Sequence, residues 1–372
     1  MTTLAPRWLV SRAFDLTWFF GGAALSLMVL WLYFVAGAPI VALWWIWLIA
    51  FDGPHIAASF TRTYLDADEW RRRPALLLTS LLTFVVGPVF LAATAVTGSQ
   101  DPFLLFLALA TLYGYYHVVR QHYGFVALYN AINRDRDPKR VALDRRTLYI
   151  GCWAPYLYFL LTHPRVRALI GLHPGELANA ATSTAEICVV VWLAVLVWFV
   201  VRHLRTDGFR FHNPKTPYLV TTIVLYGVIY FAIARFEPVY GASQGPDQDF
   251  LLLSIVIVIF HNVQYLGLVW FHNRNRYSEG GHGLAGLVNR APATFLGVCA
   301  LFSIAVYATF ACSTGVFPSC QWFTGAPAIG RVTWNQLGLC LWWGLAMNHY
   351  YLDQKIWRIS GDESLKRSLR LA

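Results

Sequence analysis

Charged residues are scarce in this sequence. Asp, Glu, Lys and Arg together make up 13% of it, whereas hydrophobic residues make up 57%. Soluble globular proteins carry about 25% charged residues. The composition therefore excludes an ordinary soluble protein and predicts one integral membrane domain over residues 1–372.

The sequence also lacks the signals of several other protein classes. Its six cysteines form no cluster, which argues against iron–sulfur ligation. No small-residue cleavage site follows Arg7 and Arg12, so we expect the first apolar run to remain as a membrane span. The net charge of +10 is spread over short segments between apolar runs and forms no basic stripe. Nucleic acid is therefore not expected as a partner.

Ten apolar runs are separated by segments that contain Pro, Gly or charged residues. The runs cover residues 16–36, 40–64, 75–97, 102–129, 147–162, 184–203, 217–235, 249–273, 291–312 and 337–358. A membrane helix needs about 20 predominantly apolar residues, and in lipid its backbone must close its own hydrogen bonds. We therefore predict an all-α, polytopic transmembrane helix bundle of about ten spans.

The basic residues alternate with the predicted spans. Of the 29 Lys and Arg residues, 24 fall on one side and four on the other, at span ends or between spans, and Arg120 alone lies in the interior of a span. An excess of Lys and Arg marks cytoplasmic loops. This predicts cytoplasmic termini and a place in the bilayer of a bacterial cytoplasmic membrane. Cys312 and Cys320 would then lie on the outer side, where an oxidising compartment could join them.

Six of the eleven histidines lie inside predicted spans. They are His55, His117, His122, His261, His272 and His349. With a rise of 1.5 Å per residue, four of them lie roughly 16 to 22 Å into their spans, namely His55, His117, His261 and His349. These four could therefore share one layer. The remaining two lie at about 30 Å, near the inner interface.

Polar neighbours accompany these histidines. Asp52 precedes His55 by three residues and Asp353 follows His349 by four, so each carboxylate shares a helical face with an imidazole and can bind a metal or orient the ring. We predict metal ligands at His55, His117, His122, His261, His272, His349 and Asp353. Second-layer or ion-pair roles are predicted for Asp52, Arg120, Gln121, Asn262, Gln264 and Asn348.

Simpler roles remain open for the same residues. A single intramembrane histidine often serves only as an interhelical hydrogen-bonding group, and His122 and His272 fit the interfacial zone. Arg120 fits a structural counter-ion of Asp52 or Asp353 better than a catalytic group, because a buried charge needs a partner.

Imidazole and carboxylate ligands suit iron, zinc or copper. Six histidines exceed what a structural zinc site needs, so an iron or di-iron centre is the first choice, with copper, zinc and haem as alternatives. A site inside the bilayer predicts a lipophilic substrate such as a lipid, a fatty acyl chain or an isoprenoid. The expected activity is that of a metal-dependent oxidoreductase or oxygenase served by an electron donor.

Three short motifs resemble known membrane families. His117-Val-Val-Arg-Gln-His122 resembles the first histidine box of membrane fatty-acid desaturases and hydroxylases, which implies a di-iron oxygenase, but this chain has no adjacent pair of histidines such as their other boxes contain. The run from Tyr265 to Arg276, with Trp270 and His272, is similar to the Brp/Blh carotenoid-cleavage membrane proteins. The segment 348–353 resembles one in a bacterial family of uncharacterised membrane proteins.

Two other functions stay open at this point. A haem-binding or quinone-linked electron carrier could use His117 and His261 as axial ligands. A proton-coupled transporter could use Asp52, Asp353 and the histidines as a relay. The Gly53-Pro54 interruption next to His55 favours a transporter only weakly, because it has no counterpart elsewhere in the chain.

Overall fold

The structure is a computed structural model, and it is largely helical. It describes residues 7–169, 175–207, 213–235, 248–278, 283–314, 327–329 and 332–371. In these ranges two short strands, β1 (Pro327–Ile329) and β2 (Val332–Thr333), pair antiparallel. The all-α prediction is confirmed. Cys312 and Cys320, whose pairing the sequence left open, lie outside the described side chains.

The described helices fall along almost the whole chain. In chain order they are α1 (Arg12–Phe34), α2 (Ile40–Arg62), α3 (Ala67–Arg72), α4 (Pro74–Thr97), α5 (Asp101–Ile132), α6 (Pro138–Thr162), α7 (Pro164–Leu169), α8 (Glu176–Asp207), α9 (Lys215–Arg235), α10 (Gln248–Arg276), α11 (Gly283–Val288), α12 (Pro292–Thr314), α13 (Trp334–Ile356) and α14 (Glu363–Ser368). Both α1 and α2 contain a π-helical stretch, at Asp15–Phe20 and Leu48–Asp52.

Each of the ten predicted apolar runs falls on one of these helices. Seven of the described helices, α1, α2, α4, α5, α8, α9 and α10, are long and apolar enough to cross a membrane, which indicates an integral membrane protein. The first turns of α6 are charged, α13 carries several polar residues, and the described apolar part of α12, Pro292–Tyr307, is shorter. The count of ten spans, the cytoplasmic termini and the bacterial inner membrane stay predictions.

The contacts divide the chain into two compact units. The first unit comprises residues 1–44 and 118–264, and the second comprises residues 45–117 and 265–372. The sequence predicted that the whole chain forms one integral membrane domain. The division into two units by contacts does not test that prediction.

In the first unit, α6 packs against α8 and α9. Gly151 permits this closeness, because a Cβ there would lie 2.6 Å from a side-chain carbon of Ile223. A buried lysine ties the unit together, since Lys215 Nζ lies 2.7 Å from Asp144 and 2.9 Å from Asp135. A buried cation is stable only when it is paired in this way.

In the second unit, α13 packs against α4 and α12 packs against α2. Small residues bring the helices close, because a Cβ on Gly87 would lie 2.7 Å from Cβ of Cys340, and one on Gly344 would lie 2.7 Å from the Phe84 ring. The helix α13 also contacts α2. This packing determines where the polar side chains of α2 and α13 meet.

Candidate metal centre

Three of the predicted histidines and the predicted carboxylate lie together in the second unit. His55 is on α2, His117 on α5, and His349 and Asp353 are one turn apart on α13. The Oδ2 atom of Asp353 lies 3.6 Å from His349 Nε2 and 3.9 Å from His117 Nε2. Donor atoms that are each about 2 Å from one ion lie about 3 to 4 Å apart, so these three atoms suit a common metal ligand set.

His55 extends the same group of side chains. Its ring centroid lies 4.6 Å from that of His349, and the centroid of His117 lies 4.9 Å from His349 on another side. One ring nitrogen of His55 is within 4.8 Å of a ring nitrogen of His349. In the second unit, His117, His349 and Asp353 thus form one candidate ligand group, and His55 lies beside it next to His349.

All four side chains are withdrawn from solvent. His55 is 3% exposed, His117 is 4% exposed and His349 is fully buried, while the side chain of Asp353 is 7% exposed. Burying polar groups costs several kcal/mol unless each group is hydrogen-bonded or binds an ion. Four buried polar side chains this close together are therefore expected to serve a function.

A chain of hydrogen bonds connects His349 to Asp353 through two other residues. The Oγ of Ser59 lies 2.6 Å from His349 Nδ1 and 2.7 Å from the hydroxyl of Tyr265. The Tyr265 hydroxyl in turn donates to Oδ1 of Asp353 over 2.6 Å. Because Tyr265 gives its proton to the carboxylate, it accepts from Ser59, and Ser59 then accepts from His349 Nδ1.

This order of donors determines the tautomer of His349. With its proton on Nδ1, the imidazole has its lone pair on Nε2, the nitrogen nearest Oδ2 of Asp353. The opposite tautomer would need Nε2 to donate over 3.6 Å, which is too long for a hydrogen bond. Nε2 of His349 and Oδ2 of Asp353 could thus both bind a cation, in the orientation that second-layer partners of metal ligands typically ensure.

The tautomer of His55 follows from its own helix. Its Nδ1 is in short contact with the backbone carbonyl of Asp52, which can only accept, so the proton is on Nδ1 and the lone pair is on Nε2. The contact lies where the π-helical stretch Leu48–Asp52 ends and Gly53-Pro54 begins. Irregular turns of this kind are common at functional sites in helices.

Two further side chains fix the surroundings of these imidazoles. The Asp52 carboxylate accepts a hydrogen bond from the hydroxyl of Tyr307, which itself accepts from Trp342 Nε1 over 2.9 Å. The ring of His117 stacks on Tyr350, with centroids 4.2 Å apart and planes inclined by 24°. These contacts orient the imidazoles and the carboxylates of the candidate site.

The other predicted residues of the second unit have structural partners. His272 Nδ1 lies 2.8 Å from Oδ1 of Asn273, whose amide nitrogen donates to Thr61 and Asn289. The amide nitrogen of Asn348 donates to the hydroxyl of Tyr64 over 2.8 Å and to a backbone carbonyl. Asn273 and Asn348 thus connect helices of the unit, and His272 is held by Asn273. The predicted roles of His272 and Asn348 at a metal stay untested.

The remaining predicted residues belong to the first unit. His122 Nδ1 lies 2.9 Å from the hydroxyl of Tyr218, which also accepts from Gln264 Nε2 over 3.0 Å. Gln121 Nε2 donates to the backbone carbonyl of His261 over 2.9 Å.

His261 and Asn262 are both buried in the first unit, at 1% and 0% exposure. Arg120 is exposed, so its position gives no support to the predicted role as a buried counter-ion. The predicted metal roles of His122 and His261 are likewise neither supported nor contradicted.

Sequence reasoning did not assign Ser59 and Tyr265 to the site, although they organise it. Ser59 follows His55 by four residues, and this helical spacing was a usable signal. Tyr265 is 88 residues from Asp353 in the chain, and Tyr307 is 255 residues from Asp52. No periodicity within one helix predicts partners so far apart.

Comparisons of this chain with protein-family models, with curated protein sequences and with solved structures give no match. The resemblances to desaturases, hydroxylases and carotenoid-cleavage proteins therefore stay predictions. What the chain does has to be argued from its own residues.

Proposed function

We propose that this integral membrane protein is a metal-dependent oxidoreductase, and that His55, His117, His349 and Asp353 bind its metal ion. The observation that carries the proposal is the directed hydrogen-bond chain from His349 through Ser59 and Tyr265 to Asp353. It holds one imidazole in the ligating tautomer and turns one carboxylate oxygen toward two imidazole nitrogens.

The donor set favours iron. Neutral imidazoles with one carboxylate form the usual ligand set of non-haem iron enzymes, in which open coordination positions receive oxygen or substrate. Zinc and copper accept the same donors and are the alternatives. A second iron, as in a di-iron centre, would need further ligands besides these four.

The surroundings favour a lipophilic substrate. The ligands lie on α2, α5 and α13, and two of these helices are apolar enough to cross a membrane. A polar centre enclosed by such helices is reached most readily by a molecule that is itself apolar, such as a lipid, a fatty acyl chain or an isoprenoid. Turnover by an iron oxygenase would also require an electron donor.

Elemental analysis of the purified protein tests the proposal. We expect iron to copurify with the native protein and with His203→Ala, in which a half-buried histidine bonded to Thr216 is lost. Stripping the metal should abolish oxidation of the substrate, and restoring iron should recover it. A native protein that binds no transition metal contradicts the proposal.

A proton-coupled transporter is the second candidate, because Ser59 and Tyr265 form a continuous hydrogen-bonded connection between His349 and Asp353. Such a connection can pass protons as well as orient ligands. Transport by metal-stripped protein in sealed vesicles would favour this candidate over the enzyme.

A further inference from the structure

Arg62 is a buried cation at the end of α2. It is 3% exposed, its Nη2 donates to the backbone carbonyl of Ile356 over 2.6 Å, and its guanidinium carbon lies 3.7 Å from the ring centroid of Trp357. In the described part of the chain it forms no salt bridge. Glu69 is the acid that acts most strongly on it, but this carboxylate is shared by other arginines.

Two donors beside each other have no acceptor at ordinary hydrogen-bond distance among the described residues, although the nearby carboxylate of Asp353 interacts with both side chains. The donors are Nη1 of Arg62 and Nε1 of Trp357, and both atoms are buried. The guanidinium lies over the indole ring, so the two donors belong to one stacked pair of side chains. A buried positive charge with unused N–H groups is unfavourable unless an anion completes it.

The pair adjoins the candidate metal centre. Trp357 follows Asp353 by one turn, and its ring centroid is 6.1 Å from that of Tyr265, which donates to Asp353. Arg62 likewise follows Ser59 by three residues on α2. Along α2 and α13 the side chains therefore follow in the same order. The imidazoles come first, Ser59 and Asp353 come next, and Arg62 and Trp357 come last.

We propose that Arg62 and Trp357 bind the anionic head group of an amphiphilic substrate, a carboxylate or a phosphate, while the metal centre acts on its chain. This inference rests on the proposed function. A guanidinium and an indole N–H both donate to oxygen, and a charged oxygen acceptor makes the stronger bond with each. The aromatic faces around them suit the apolar chain next to the head group.

The spacing limits where the reaction occurs. Arg62 is seven residues after His55, and Trp357 is eight residues after His349, so the head-group site lies about 10 to 12 Å along the helices from the imidazoles. Trp357 is only one turn, about 6 Å, beyond the proposed ligand Asp353, so the reacting carbon lies in the part of the chain nearest the head group.

Equilibrium binding to metal-loaded, full-length protein tests the proposal. The probes are radiolabelled hexadecanoate, hexadecyl phosphate and hexadecanol, with inorganic phosphate as a competitor. We expect at least one of the two anionic amphiphiles to bind about 10-fold or more tightly than hexadecanol, since a charge-assisted pair is stronger than a neutral contact. Inorganic phosphate should compete only weakly.

Matched variants locate the effect. Arg62→Met should weaken binding of the anionic amphiphile about 10- to 100-fold and leave hexadecanol binding and metal content unchanged. Trp357→Phe keeps the ring under the guanidinium but removes Nε1, so it should weaken the same binding several-fold. Arg72→Met, which removes an exposed arginine paired with Glu69 and Asp362, is the control and should have no effect.

Three results would overturn the head-group site. Equal binding of hexadecanol and both anions would remove the need for a cation. Unchanged anion binding in folded Arg62→Met and Trp357→Phe would show that these residues only cap and pack α13. Inorganic phosphate that binds as tightly as hexadecyl phosphate would indicate a site for free anions. Metal content, measured on the same samples, reports separately on the metal centre.

Discussion

Tyr265 donates a hydrogen bond of 2.6 Å to Oδ1 of Asp353 and so leaves Oδ2 as the oxygen that faces the imidazoles. A carboxylate held by one oxygen cannot rotate freely, and its second oxygen keeps a fixed place beside His117 and His349. The arrangement is that of a ligand prepared before the ion binds, which limits the entropy lost on binding.

Removal of the Tyr265 hydroxyl should therefore weaken metal binding without removing a ligand. Tyr265→Phe is expected to lower metal affinity about 10- to 100-fold, the usual effect of losing an outer-layer partner. Competition with a chelator of known affinity measures the change. Ser59→Ala should produce a similar loss, and the double variant should lose less than the sum, because both act through one chain. Unchanged affinity in Tyr265→Phe would contradict the role assigned to this hydroxyl.

Loss of the Asp353 charge should lower metal affinity more than loss of one of its hydrogen-bond partners. Asp353→Asn keeps the shape of the side chain but removes the negative charge that would face the cation, so metal affinity should fall further than in Tyr265→Phe. We expect the protein still to insert and fold, since the amide can accept from Tyr265. The circular dichroism spectrum and elution volume serve as the folding control. Equal affinities for the two variants would show that Asp353 is not a ligand.

Close packing of α4 against α13 is testable through one glycine. Gly87→Ala should destabilise the protein by about 1 to 3 kcal/mol, because the new Cβ would lie 2.7 Å from Cβ of Cys340. Gly124→Ala on α5 is the matched control. A Cβ at Gly124 would have no described atom within 4 Å apart from the nearby backbone of its own helix. It should be neutral or stabilising by about 0.5 to 1 kcal/mol, as expected for alanine in a helix. Thermal unfolding in detergent compares them.

Asp362, the residue before α14, should make the free energy of unfolding depend on pH. Burial tends to raise the pKa of this carboxyl, but the Leu365 N–H and the guanidinium groups of Arg72 and Arg73 prevail and lower it. A lowered pKa in the folded state stabilises the protein above the unfolded pKa, 3.8, and this contribution is lost as the pH falls through the folded value.

The variant Asp362→Asn tests this because it keeps the helix cap and removes the charge. At pH 7 it should be less stable than the native protein by up to about 1 kcal/mol. The difference should vanish at pH values well below 3.8, where the native carboxyl is also neutral. A difference of the same size at low pH would mean that the charge is not its source.

The sequence predicted what depends on local pattern. Hydrophobic runs of membrane length predicted the helices, because in lipid a segment must satisfy its own backbone. Polar residues at great depth in the apolar runs indicated His55, His117, His349 and Asp353, and the structure brings these four close together, while their metal-binding role stays a prediction. The spacing of His349 and Asp353 on one face was also correct, since it depends only on helical periodicity.

The hydrogen-bond partners could not be predicted in the same way. Whether Tyr265 meets Asp353 or Tyr307 meets Asp52 depends on which helices pack together and at what rotation, and this information is spread over distant parts of the chain. Arg62 lies near the end of an apolar run, where a basic residue normally meets water, yet it is buried against Trp357. The environment of Arg62 depends on tertiary packing and does not follow from its position at the end of an apolar run.

The most direct test of the account is an equilibrium titration of iron(II) into metal-stripped protein, native and His349→Ala, under anaerobic conditions. The account predicts saturable binding to the native protein and a loss of affinity of at least about 100-fold in His349→Ala, because a ligand and the hydrogen-bond chain behind it disappear together. Binding of equal strength to both proteins, with His349→Ala folded as shown by its helical circular dichroism, would contradict it.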